Sequence, residues 1–349
     1  MKRIILCMLV AAGLSLTAVS AQDLKVTELP QQMLRVEPGQ YSGITWLGGD
    51  RYAVVDDKRN GGGIVFFDIP LREDGSVRAA QVRLTVPEAT EMSRESGLDC
   101  EGIAYANGKL YVSAESDQSI REYDLDGNAT GKSFRIPPEF DKSAIQKNLG
   151  FEALTYNATT GKFWTTTEAP LKEDGEDSRL HRFQRFNSRH QPDGCWLYRM
   201  DEPIRPQKGG PAALAYVFGI SALAALDDGR LIVLEREVFV PIKRSRAILT
   251  DSFSHVKLYL ADPSVNTSGI MSKRLLCEFE TRIASTAAGF NVNLANYEGM
   301  CLGPQLPDGR RCLILLADSQ GGMSHLAGLM GRKRLTNEFV KVILLDYSL

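Results

Sequence analysis

One short pattern recurs five times along this chain, and an internal repeat limits the possible folds more tightly than any composition can. Each copy begins with an acidic or hydroxyl residue, then Gly or Ala, then an aliphatic residue. After a turn comes a β-rich run that ends in an acid. The copies are Ser42-Gly43-Ile44 leading to Asp56-Asp57, Glu101-Gly102-Ile103 leading to Glu115, and Glu152-Ala153-Leu154 leading to Glu168. The fourth is Ser221-Ala222-Leu223 leading to Glu235, and the fifth Glu298-Gly299-Met300 leading to Asp318. In three of them the landmarks lie 14 residues apart, at 42 and 56, 101 and 115, and 221 and 235. The first four copies continue with two more strand-like runs, such as 119–125 and 132–136 on either side of Asp126-Gly127-Asn128.

Four short antiparallel strands per copy describe a propeller blade. The expected fold is all-β, a β-propeller of five four-stranded blades. Six blades is the alternative, should an irregular one lie around 200–218 or 280–295. The fifth copy has one further strand, at 339–346, so an N-terminal strand at 24–29 would complete its blade and close the ring, removing exposed edges. Short loop helices are expected at 143–148 and 324–330. The polar or glycine-rich stretches 173–178, 205–211, 244–253 and 319–333 read as loops decorating one face.

The first 21 residues stand apart. Lys2 and Arg3, an apolar run over 4–18 and Val19-Ser20-Ala21 read as a signal peptide cut after Ala21, which leaves 22–349 as one exported domain, periplasmic or secreted. Cys7 lies inside the apolar run rather than after the cut, which argues against a lipid anchor. No later segment is long and apolar enough to span a bilayer. The chain carries 41 basic and 43 acidic residues, a net charge of −2 that becomes −4 without Lys2 and Arg3, so charge gives no reason to expect a nucleic-acid partner. Five cysteines remain at irregular spacing, neither a disulfide framework nor a zinc pattern. Cys301 and Cys312 could meet across a hairpin; buried free thiols are the preferred reading. His181, His190, His255 and His325 are scattered and read as surface or loop residues rather than a catalytic set.

Strand direction turns the repeat into a site. The start of a first strand and the end of the antiparallel second strand share one end of the blade. Glu101 should therefore neighbour Glu115, Glu152 neighbour Glu168, Ser221 neighbour Glu235, and Glu298 neighbour Asp318. With Asp56, Asp57 and Asp99 this makes a ring of carboxylates at one mouth of the channel. Crowded like charges repel, and removing them from water adds to the cost. Bound protons, intervening bases or a hard cation would relieve them, and calcium suits carboxylate oxygens. Lys58, Arg59 and Arg236 are the nearest bases, and an arginine beside such a cluster can hold a phosphate or carboxylate. A purely structural reading stands beside this one: acids at hairpin ends also accept backbone N–H bonds. It suits Ser42, Ser221 and Asp126 better than Asp99-Cys100-Glu101 or Asp56-Asp57-Lys58-Arg59. Asp124 to Asn128 resembles half a calcium loop but lacks the distal Glu, so it reads as a hairpin turn.

These landmarks resemble the phytase-like family, the "esterase-like activity of phytase" domain of exported bacterial proteins. They are Ser42-Gly43-Ile44 with Val55-Asp56-Asp57-Lys58-Arg59, Leu98-Asp99-Cys100-Glu101-Gly102-Ile103, Asn148 to Leu154, Thr167-Glu168-Ala169-Pro170-Leu171, Gly219-Ile220-Ser221, Leu234-Glu235-Arg236 and Asn296-Tyr297-Glu298-Gly299-Met300. The resemblance implies a propeller and calcium-assisted hydrolysis of a phosphate ester, and the expected partner is such an ester or another small anionic ligand. It implies Glu101, Glu152, Glu298 and Glu235 as catalytic acids, Arg59, Arg236 and Lys58 as substrate ligands, and Asp56, Asp57, Asp99, Glu101, Glu115, Glu152, Glu168, Glu298 and Asp318 as metal ligands. One departure bears on the fifth copy: where the family shows two acids and Asn, this chain has Ala317-Asp318-Ser319, which weakens a ligand role there. No G-x-S-x-G elbow, H-E-x-x-H helix or P-loop competes. A calcium-dependent lactonase using the same acids without a phosphate-holding arginine is a second enzymatic reading. A non-catalytic envelope propeller that binds a ligand or protein partner is the reading outside enzymology.

Overall fold

A computed structural model describes residues 23–57, 63–87, 97–175, 178–205, 213–241, 250–286, 289–320 and 338–347, with the backbone alone at 284–286 and 289–291. The fold is all-β, and single-turn 3-10 helices such as Pro138–Phe140 and Lys172–Asp174 lie between strands. The expected signal peptide, Lys58, Arg59, His325 and the 324–330 helix lie outside the described residues. Residues 143–148 form turns rather than a helix. Only short closures form, such as Ala144 N to Asp141 O and Leu149 N to Gln146 O, because so short a segment cannot offset helix nucleation.

The strands fall into antiparallel meanders that follow the repeat. Unit one is β3 (Tyr41–Gly48), β4 (Arg51–Asp56), β5 (Gly63–Asp68) and β6 (Arg83–Thr85). Unit two is β7 (Cys100–Ala106), β8 (Lys109–Ala114), β9 (Ser119–Tyr123) and β10 (Ala129–Ser133). The last of these begins three residues earlier than the sequence suggests. Asp124 Oδ1 accepts the Asp126 and Asn128 amides and Ala129 pairs at once with Tyr123. Unit three is β11 (Phe151–Asn157), β12 (Lys162–Thr167), β13 (Leu180–Phe186) and β14 (Pro192–Arg199).

Unit four is longer: β15 (Ala213–Ala225), β16 (Leu231–Pro241), β17 (Phe253–Thr267) and β18 (Ile270–Thr286), with β19 (Gly289–Val292) beside β18. A single parallel bridge, Leu197 with Ile270, joins units three and four into one nine-stranded sheet. Residues 213–218 and much of 280–295 thus belong to unit four. Unit five is β20 (Asn296–Gln305), β21 (Arg311–Asp318) and β22 (Glu338–Tyr347), completed by the N-terminal β1 (Leu24–Glu28), which runs antiparallel to β22 from Leu24↔Tyr347 to Glu28↔Ile343. The short β2 (Gln32–Leu34) also pairs with β22.

Strands that alternate around a half-buried face need a partner layer. Each pair of successive units encloses its own apolar cluster: Val55, Ile64, Ile103 and Val112 between one and two, Tyr111, Phe134, Phe151 and Phe163 between two and three. Trp164, Tyr198, Leu223 and Tyr259 lie between three and four, and Leu234, Leu258, Tyr297 and Leu315 between four and five. A fifth cluster, with Tyr41, Tyr52, Ile314 and Val342, packs unit five against unit one. The first strands also lie side by side, β3 against β7 and β20, β7 against β11, β11 against β15, and β15 against β20. Cys100, Cys301 and Cys312 are buried free thiols, and no disulfide joins Cys301 to Cys312.

Candidate functional site

The same backbone irregularity opens every unit. In each first hairpin the register slips at the repeat's first landmark, between Tyr41 and Ile44, Cys100 and Ile103, Phe151 and Ala153, Ile220 and Ala222, and Tyr297 and Gly299. A bulge bends the strand and re-aims the side chains beside it. The bulged positions are Ser42, Glu101, Glu152, Ser221 and Glu298. The small residue that follows has a packing reason: a Cβ on Gly43 would stand 2.6 Å from Glu101 O, and one on Gly299 would stand 2.5 Å from Ser42 O.

Register decides which residue of the second strand joins them. Asp57 N bonds to Gln40 O, Glu115 N to Asp99 O and Glu168 N to Gly150 O, while Arg236 pairs with Gly219 and Asp318 with Asn296. Four units thus offer an acid at this place, and unit four offers Arg236. The 14-residue spacing points one residue earlier, to Asp56 and Glu235, and a one-residue shift turns a side chain to the opposite face. Asp56 is buried, with Gln40 N 3.4 Å from its carboxylate and Glu338 as a neighbouring acid. Glu235 is buried too, accepting from Tyr198 Oη at 2.6 Å, Lys273 Nζ at 2.7 Å and Asp201 N at 3.1 Å. The structure places neither with the other acids, and Ser221 bonds to Tyr297 O instead of meeting Glu235.

Arg236 organises one side of the cluster. Its side chain is buried, with Nη2 2.7 Å from Glu168 Oε1 and 3.6 Å from Glu152 Oε1. Nη1 lies 3.0 Å from Asn296 Oδ1 and makes a short ion pair with Glu298. Burial works against its charge, and Glu298, Glu168 and Glu152 more than restore it, so its pKa rises. Burial, then Glu168 and Glu101, push the Glu152 carboxyl well up, with Arg236 opposing. Glu168 is also raised by burial, against the pull of Arg236. Asn296 is the partner the repeat did not single out: its Nδ2 also donates to Glu298 Oε1 at 2.8 Å. Its signal was position, since it stands two residues before Glu298 as Asp99 stands two before Glu101.

The acids of units one and two form a second group. One oxygen each from Asp57, Asp99 and Glu101 lies within 4.8 Å of the other two. Oxygens bound to one Ca²⁺ at roughly 2.4 Å can be at most about 4.8 Å apart, and all three donors are hard oxygens, so the set fits such an ion. Burial, then Glu298 and Asp57, drive the Glu101 carboxyl well above its usual range, while Ser42 lowers it in part. Asp99 holds a left-handed backbone, φ +52, just ahead of β7. Glu115 accepts the Gly150 amide at 2.6 Å, and burial lifts its carboxyl to about 7 despite that bond. Asp318 accepts the Gln320 amide at 2.7 Å and is raised by burial and by Glu298.

The family model for phytase-like proteins, described as "esterase-like activity of phytase", matches residues 37–320, a span that holds every acid of this cluster. The chain belongs to the phytase-like family. No curated protein matches this phytase-like chain significantly. Among solved structures it is similar to glutaminyl cyclase of Myxococcus xanthus, at 10% identity and TM-score 0.40, over 94% of this chain and 100% of that one. It is also similar to an endo-arabinase from Bacteroides thetaiotaomicron, at 12% identity and TM-score 0.44, over 91% and 98%. A third is the PQQ-bound aldose sugar dehydrogenase of Streptomyces coelicolor, at 12% identity and TM-score 0.39, over 93% and 99%. Similarity at this level does not extend to a shared chemistry. No helix among the described residues is long and apolar enough to cross a membrane.

Proposed function

We propose that this phytase-like chain is an exported, calcium-dependent phosphoric ester hydrolase built on a closed five-bladed β-propeller. The five clusters between successive units, including the one from unit five to unit one, support the closed ring. The observation that carries the chemistry is the convergence of Asp57, Asp99 and Glu101. These three would hold calcium, with Glu115 beside them. Bound there, the ion supplies concentrated positive charge to draw and polarise an anionic ester.

The chain's own residues divide the remaining work. Glu152, Glu168 and Glu298 are tied to Arg236, which fixes their geometry and offsets their charge. With both terminal nitrogens of Arg236 engaged by acids or Asn296, its role is that of a counter-charge inside the cluster rather than the substrate fork expected from sequence. Lys58 and Arg59, next to Asp57, remain the proposed contacts for the phosphate. The engagement of Arg236 also favours a second reading, a calcium-dependent lactonase, which needs the acids but no phosphate-holding arginine.

Purified protein assayed on 4-nitrophenyl phosphate, bis(4-nitrophenyl) phosphate and δ-valerolactone, with calcium or with chelator, separates these readings. Calcium-dependent release of nitrophenol that falls in Glu101→Gln and Arg59→Met supports the esterase. Lactone opening that survives Arg59→Met selects the lactonase. Equal trace activity in wild type and Glu101→Gln, with no calcium dependence, leaves a binding propeller.

A further inference from the structure

The end of the first strands opposite the acids opens into a cavity of about 310 Å³. Its walls come from β3, β7, β11 and β20, with Ala225 and Asp227 from unit four and Arg311 at the start of β21. Ile44, Ile103, Leu154 and Met300 line both this cavity and the gap of about 10 Å³ that reaches toward Glu152 and Glu298. An apolar collar therefore separates it from the acidic cluster.

Three aromatic side chains, Trp46, Tyr105 and Tyr156, face the cavity and are only partly buried. Among the described residues neither tyrosine hydroxyl has a hydrogen-bond partner, whereas Trp46 Nε1 is held by Gly49 O at 2.8 Å. Arg311 completes the wall. Its guanidinium carbon sits 5.2 Å from the Trp46 ring centroid, and its buried Nε has no hydrogen-bond partner. No carboxylate among the described residues makes an ion pair with it. A partly exposed guanidinium on a cavity wall, with no carboxylate among the described residues paired to it, can receive an anion through its terminal nitrogens. The walls are also set in advance: Thr45 Oγ1 accepts the Tyr105 amide at 3.0 Å, and Thr155 Oγ1 accepts the Ala225 amide at 3.1 Å. Both bonds cross from one unit to the next.

We propose that this cavity is a second binding site, for a small planar monoanion of the aromatic carboxylate class. The carboxylate lies against Arg311, where the fork geometry allows two parallel bonds. The ring lies among Trp46, Tyr105 and Tyr156, which offer apolar faces and free hydroxyls. The volume, at the small end of ligand pockets, suits one ring. Exposed Asp227 at the rim opposes a second negative charge.

Calorimetric titration with 4-hydroxybenzoate, and with neutral 4-hydroxybenzamide of the same shape, tests the assignment. Wild type should bind the acid about tenfold or more tightly than the amide, the range a charge-assisted bond supplies. Arg311→Met should abolish that preference, Arg311→Lys should keep part of it, and Glu101→Gln should bind as wild type does. Circular dichroism of each variant shows whether the fold is kept. Should Arg311→Met fail to fold, Trp46→Leu, which removes the stacking face, should weaken both ligands alike. No saturable binding of the acid by wild type at millimolar concentration, or an undiminished preference in Arg311→Met, overturns the proposal.

Discussion

Arg236 is the residue on which the acidic cluster depends. It brings one positive charge to Glu152, Glu168 and Glu298, all largely withdrawn from water. Removing one partner of a buried ionic network strands the others, at a cost of roughly 3–5 kcal/mol. Arg236→Gln should therefore lower urea stability by that order, and adding Glu168→Gln should recover part of the loss by removing one stranded charge. Arg236→Lys should fall between, since an ammonium cannot span the same acids. Wild-type stability in Arg236→Gln would show that the acids are protonated and need no counter-charge. The cluster on the other side, Asp57, Asp99 and Glu101, was legible as residue types and as an end of the fold. Its separation from Arg236 was not, because which acids meet depends on side-chain direction around a bulge.

At the scale of elements, the five bulged hairpins explain both what the sequence revealed and where it misled. The order of strands within each unit and the pairing of the N-terminal strand with β22 followed from the repeat and from turn residues, whereas the short β2 and β19 did not. The facing residues did not. Counting 14 residues from Ser42 and Ser221 reaches Asp56 and Glu235, yet the ladder brings Asp57 and Arg236 to the cluster. Hairpin loops differ in length between units, and a shift of one residue is enough to reverse the face. The extra length of unit four was equally hidden, since the outer parts of its strands, such as 213–218 of β15 and 237–241 of β16, lie beyond the landmarks that the repeat supplies. Gly102 gives a test of the tight approach between first strands. A Cβ there would meet Leu154 N and Ser113 Oγ at 2.6 Å and Glu152 O at 2.8 Å. Two of those atoms are backbone of the neighbouring unit, so Gly102→Ala should cost roughly 1–3 kcal/mol. Gly108→Ala, with open space and φ +74, should show only the smaller cost of a left-handed backbone. Equal effects in denaturant titrations would mean that the units are not pressed together at Gly102.

For the whole molecule, the junction of units five and one carries a pH dependence. Glu338 is fully buried, accepts the Gly39 amide at 3.1 Å and a short bond from Ser319, and has its second oxygen unbonded. Burial lifts its carboxyl to about 8, with Asp56 adding to the rise and the Ser319 and Gly39 bonds opposing it. A carboxyl raised on folding binds its proton more tightly in the native state, so its contribution is complete below the ordinary glutamate range and lost as pH climbs through 8. The melting temperature of wild type should decline from pH 6 to 9 more steeply than that of Glu338→Gln; parallel curves would assign the decline elsewhere. The pairing of β1 with β22 reaches further. Leu24 meets Tyr347, more than three hundred residues along the chain. As the polypeptide is made, Leu24 and Val26 must wait for Ile343 and Leu345 before their sheet can form. A polypeptide released vectorially cannot finish its fold early. It stays open along this seam until β22 arrives, which makes the time before release its most aggregation-prone moment.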